Sequence, residues 1–151
     1  MYVSFFVLGS VFLIKGVVQM ADLKFPEGLF YAETDEWVKL EGDEATVGIS
    51  DFAQDQLSDV VFVELPQMDT HFDAGKMVMQ VESVKAVGDV YMPVSGTITE
   101  VNERLEDEPE IVNEDPYGEA WLFKFKPDNA DEIKDKLMDA AAYRENTEAR
   151  S

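Results

Sequence analysis

A mainly β fold is predicted for this 151-residue chain: a flattened β-barrel or sandwich with a short internal helix and a C-terminal helix. Three observations predict it. Short β-prone runs recur at close spacing between Gly, Pro and Asp turn residues, the pattern of small all-β domains. Gly96-Thr97-Ile98-Thr99-Glu100-Val101 alternates with period two, so one of its faces is expected to be buried. Helical periodicity is confined to two places, while 46% apolar residues, with ten Phe and two Trp, suffice for a single core.

The elements follow in order. Glu36–Leu40 and Glu44–Ile49 flank Glu41-Gly42-Asp43, which predicts a hairpin with a three-residue loop. Asp51 with Gln54 three residues on is a capping-box pattern, so a short helix is expected over Ser50–Leu57. Val60–Leu65 predicts a buried strand stopped by Pro66, and Asp69–Gly75 a turn-rich connection. Two apolar runs, Lys76–Glu82 and Val87–Met92, enclose Ser83-Val84-Lys85-Ala86. Residues 102–118, acidic and holding Pro109 and Pro116, are expected to be irregular, and Ala120–Lys126 forms another strand. Near the end Asn129 caps a helix, Glu132 completes its box, and Ile133, Leu137, Met138 and Ala141 supply the apolar stripe. After Tyr143 the chain is expected to fray, which sets a core domain at 20–143 and a tail at 144–151.

Residues 1–19 differ from the rest: they are apolar and carry one charge, Lys15. The run Tyr2–Ile14 is short of the ~20 apolar residues of a membrane span. A basic leader region, a small-residue cleavage site and the Arg/Ser richness of a transit peptide are not evident. Lys15-Gly16-Val17 is encodable as AAA-GGA-GTN, a purine-rich ribosome-binding sequence a short spacer before Met20. The expectation is therefore an upstream region translated from a mis-assigned start, packing poorly on the domain or lying away from it; the alternative is a short membrane anchor. A cytoplasmic location is expected.

Charge and inventory exclude much. With 32 acidic against 12 basic residues the net charge is −20, which repels phosphate backbones and anionic membranes and favours basic protein surfaces. There is no cysteine for a disulfide, thiolate metal site or nucleophile. The single histidine, His71, has no nucleophile-elbow serine to serve. The acidic stretch 100–115 lacks the spacing of a calcium loop and reads as solvated surface. No catalytic constellation or metal site is predicted.

Function turns on Val81-Glu82-Ser83-Val84-Lys85-Ala86. A lysine at the tip of a tight hairpin between apolar strands projects its amine where a modifying enzyme can grip it; a bare Val-Lys-Ala in an exposed turn is otherwise unremarkable. The context is specific. This stretch resembles the lysine-bearing hairpin of the glycine cleavage H-protein family. So do Thr34–Val38, Thr46–Gln54, Val60–Pro66, Pro93–Gly96, Val101-Asn102 and Asn113–Leu122, in order from about Leu23 to Tyr143. Two departures stand out: Asp35 precedes Glu36-Trp37 where that family usually has His, and Gln56 stands where His is frequent.

The resemblance implies a lipoyl/biotinyl-carrier type of fold, a barrel-sandwich hybrid, with lipoate amide-linked to Lys85. Glu82, Ser83, Val84 and Ala86 form the hairpin that a lipoylating enzyme recognises. It implies a non-catalytic shuttle. Glycine decarboxylase, the pyridoxal-phosphate P-protein, leaves an aminomethyl group on the arm. The aminomethyltransferase (T-protein) passes that group to a folate, and dihydrolipoamide dehydrogenase (L-protein) reoxidises the dithiol. By the same resemblance Glu36 and Asp89 lie near the arm's resting site, where carboxylates suit a cationic amine. Other swinging-arm modules fit less well: biotin carriers typically show Met-Lys-Met, and 2-oxoacid dehydrogenase lipoyl domains Asp-Lys-Ala. H-like proteins that relay lipoyl groups without handling glycine remain an alternative, as does an unmodified module that binds a basic partner.

Overall fold

The computed structural model describes residues 2–5 and 22–151. Among the described residues ten strands form two sheets. The first has the order β1 (Tyr2–Phe5), β8 (Ala86–Tyr91), β7 (Met77–Ser83), β5 (Val60–Glu64). The second runs β2 (Phe30–Tyr31), β3 (Glu36–Glu41), β4 (Glu44–Ile49), β10 (Phe123–Pro127), β9 (Gly96–Val101), β6 (His71–Phe72). All pairings are antiparallel. The inward faces meet in one core that includes Val47, Leu57, Val81, Val90, Ile98 and Phe125, as expected for two sheets with one wet face each.

β3 and β4 pair to the end, Glu41 opposite Glu44, so the loop is the two residues Gly42-Asp43, not three. Gly42 has φ 64, which fits the first central position of a II′ hairpin turn, where glycine is favoured. Gly48 is demanded by packing: a Cβ there would lie 2.5 Å from the Trp37 ring. Helix α1 spans Asp51–Leu57 and is capped one residue earlier than the box suggested, by the Ser50 hydroxyl accepting from the Ala53 amide (3.1 Å). The Asp51–Gln54 pair does form, but side chain to side chain (2.7 Å).

Three expectations need correction. The excursion 102–118 is not irregular throughout: α2 (Arg104–Asp107) and α3 (Ile111–Glu114) turn Leu105, Ile111 and Val112 into the core. The C-terminal helix is two helices, α4 (Asp131–Lys136) and α5 (Ala140–Arg150), separated where Met138 bridges to Tyr31 in an extended conformation. And residues 144–151 do not fray. Tyr143 stacks on Tyr31 at 4.6 Å, and Arg150 reaches the buried Asp35 at 2.5 Å, so tertiary contacts hold a helix whose own sequence argues for disorder.

Of the N-terminal segment, residues 2–5 do not lie away from the domain: β1 adds onto β8, and Val3 packs against the core. The remainder of the proposed extension falls outside the described residues.

Candidate functional site

β7 and β8 alternate cleanly. Met79, Val81 and Ser83 point inward on one strand, Ala86, Gly88 and Val90 on the other. Glu82 faces Val87 at the last pair before the tip. Since Ser83 and Ala86 are both buried, the two residues between them, Val84 and Lys85, must bulge outward. The Ser83 hydroxyl fixes that bend: it accepts from the amides of Ala86 (3.0 Å) and Lys85 (3.3 Å) and lies 3.3 Å from the Ala86 carbonyl. From outside, the Val84 amide donates to the Asp59 carbonyl (3.0 Å). The consequence is an exposed Lys85 on a tip pinned from both sides, flanked by Val84 at 63% exposure and, on the edge strand β5, by exposed Val61 and Phe62. The charge of Lys85 is felt by Asp55 on α1, whose carboxyl is pushed up by burial and by Asp51, with Lys85 opposing the rise.

Glu36 lies elsewhere in the site, fully buried at the start of β3. A turn puts it there. Asp35 adopts a left-handed φ of 78, with its amide donating to the Ala32 carbonyl (3.0 Å) and the Ala32 amide to the Glu36 carbonyl (2.9 Å). The Glu36 carboxyl accepts from the Tyr91 amide at the end of β8 (3.2 Å) and from the Thr34 hydroxyl. Burial pushes its pKa up to about 7, against the lowering effect of those hydrogen bonds.

Thr34 and Tyr91 also line a cleft of about 340 Å³, whose other walls include Glu33, Met92, Pro93, Lys136 and Leu137. Glu36 sits behind these walls and does not line the cleft. Asp89 shares the outward face of β8 with Tyr91 but accepts from Gln80 (2.8 Å) on β7 and is not a lining residue either. Thr34, Tyr91 and Lys136 were not singled out from the sequence. A Thr two residues before a buried acid is a faint signal, and Tyr91 and Lys136 are joined only by the fold. The departure at Asp35 has a structural account: the side chain is turned to α5, accepting from the Tyr143 hydroxyl (2.8 Å) and pairing with Arg150. Among the described residues no group of His, Cys, Asp or Glu is arranged to hold a metal ion.

The family model for the glycine cleavage H-protein matches residues 29–150. This chain belongs to that family. It is 54% identical over 123 residues to a probable glycine cleavage system H protein of Haloarcula marismortui, covering 82% of this chain and 96% of that one. It is 51% identical over 127 residues to a glycine cleavage system H protein of Marinobacter nauticus, covering 83% and 97%. The crystal structure of a glycine cleavage system H protein from Mycobacterium marinum superposes with a TM-score of 0.74 at 34% identity, over 81% of this chain and 98% of the other. The two-sheet architecture with its short helices is therefore the family's own.

Proposed function

We propose that Lys85 is the residue to which lipoate is joined through an amide. As a member of the glycine cleavage H-protein family the chain is a non-catalytic lipoyl carrier that shuttles the aminomethyl group of glycine. The observation that carries the assignment to Lys85 is its exposed position in a two-residue bend pinned by Ser83. That geometry suits an acyl acceptor. The amine is presented outward while the backbone beneath it is rigid, so the order that a modifying enzyme must otherwise impose is already present. Glu82, Ser83, Val84 and Ala86 are the surface such an enzyme grips.

The lipoyl group, when bound, supplies the dithiol chemistry; the chain supplies position and electrostatics. The cleft walled by Thr34 and Tyr91 is the resting place we assign to the arm. Glu36 lends negative charge from behind these two residues once it is ionised, and Asp89 lends it from the same face of β8. The partners in this reading are the P-, T- and L-proteins and the lipoylating enzyme. The site of action is the cytoplasm, and no described helix is long and apolar enough to cross a membrane. In this reading the carrier domain's own chain begins at Met20, and residues 1–19 are an extension that precedes it, of which residues 2–5 pair with β8; N-terminal sequencing of the native protein tests the start.

Intact mass spectrometry after incubation with a lipoate ligase and lipoate tests the attachment. The expected result is a single lipoyl increment on the full chain and none on Lys85→Arg, which keeps the charge but is not acylated. An increment on the arginine variant, with its far-UV and thermal profile unchanged, overturns the assignment. Lipoylation without glycine-dependent CO2 exchange in the presence of P-protein identifies a lipoyl relay instead.

A further inference from the structure

β8 has one edge turned to β7 and one turned away. On the β7 side Met92, just past the strand, donates its amide to the Lys76 carbonyl (2.8 Å); on the other side Tyr91 donates to Glu36 (3.2 Å). Amides alternate along a strand, so Asp89 and Val87 direct theirs to the same outer side as Tyr91. That side is covered by β1, with Tyr2 opposite Asp89, Val3 opposite Gly88, Ser4 opposite Val87 and Phe5 opposite Ala86. Glu36 therefore closes one end of the outer edge and residues 2–5 close the rest, ending one residue from Lys85. Without them, the backbone groups of Val87 and Asp89 form an open edge beside the arm, ready to template any extended segment.

The occupant is chosen by charge as well as by register. A second copy of the chain would bring a further net charge of −20 against this face, whereas Tyr2–Phe5 carries no charged side chain. Val3 adds a contact with the core, so the strand is held by more than its ladder.

We propose that the outer edge of β8 is a strand-addition site, occupied in cis by Tyr2–Phe5, and that this strap restricts enzymes that must close around the arm-bearing hairpin. The second half rests on the carrier reading of Lys85. The strap stiffens the hairpin and covers the flank that β5 does not, so a chain begun at Met20 presents a more accessible arm than a chain begun at Met1.

The test compares the full chain, its Ser4→Pro variant and a chain starting at Met20, which retains the whole family match from residue 29. Proline removes the amide that faces Val87 and obstructs the ladder. Two quantities are read: amide hydrogen exchange at Val87 and Asp89, and the lipoylation rate with a lipoate ligase at subsaturating carrier. The expected result is protection in the full chain, a loss of about fivefold or more in both variants, and faster lipoylation of both, since one net backbone hydrogen bond is a factor of about five. Equal exchange in all three chains overturns the strand addition. Lost protection with an unchanged lipoylation rate overturns the restriction of access. If no chain takes up lipoate, the carrier reading of Lys85 fails, and the exchange measurement still decides whether the edge is covered.

Discussion

Ser83 and Glu36 show two uses of a buried polar group within one site. Ser83, 3% exposed, shares its hydroxyl among three backbone partners around the tip and so is satisfied at no cost in charge. Glu36 is buried as an acid whose pKa is pushed up to about 7, so the folded state retains a proton that the unfolded chain gives up near the ordinary value of 4.5. The sign follows from linkage. Between pH 4.5 and about 7 the native state binds more protons than the unfolded one, so this group's contribution to stability falls as pH rises through that window. Above it the cost of a buried carboxylate is present in full, about 3 kcal/mol at most. Glu36→Gln removes the titration. The melting temperature of the variant relative to the parent is expected to rise from pH 5 to pH 8; a difference that stays flat across that range places the ionisation elsewhere.

At the scale of elements, α5 is the instructive case. Its apolar content is low, and its final turn reads Thr-Glu-Ala-Arg-Ser, yet Tyr143 and Thr147 are fully buried. The Tyr143 hydroxyl gives its proton to Asp35, so Ser50 donates to Tyr143 (2.6 Å) while still capping α1. Arg150 closes the same network by pairing with Asp35, which is 3% exposed. The turn that presents Glu36 is thus tied to the last helix of the chain. Tyr143→Phe and Arg150→Ala are each expected to cost about 1–3 kcal/mol, because each leaves a buried acceptor short of a charge-assisted bond. A domain of this size then melts several degrees lower. Thermal unfolding of both variants checks this; a change within about one degree for both would mean that the network is solvated and carries little stability.

At the scale of the whole molecule, net charge dominates. A carrier visiting several enzymes has to arrive fast and leave fast, and a net charge of −20 suits electrostatic steering toward basic rims around partner pockets. Glycine-dependent CO2 exchange with the P-protein is therefore expected to weaken as ionic strength rises, chiefly through slower association. Neutralising Glu82 and Asp59 near the hairpin should reproduce part of that loss at low salt. Rate against carrier concentration at several salt levels, with a P-protein shown to be salt-tolerant, is the measurement. An apparent affinity that does not change with salt assigns the acidity to solubility instead.

The local pattern by itself determined that the chain is built from short strands, where most of them lie, that Ser83–Ala86 is a tip between two of them, and that Lys85 stands on it. Period-two alternation and turn residues act within a few positions, so they are visible in any stretch read alone. What only the tertiary structure decided is held by long-range partners. Asp35 meets Tyr143 and Arg150 across more than a hundred residues, and the order of α5 comes from that network and not from helix propensity. The cleft joins Thr34, Tyr91 and Lys136 from three separate elements, and β1 finds β8 across more than eighty residues. The family resemblance implied an acid at Glu36 beside the arm, but its shifted proton affinity depends on complete burial, a property of the folded core that no short segment of sequence contains.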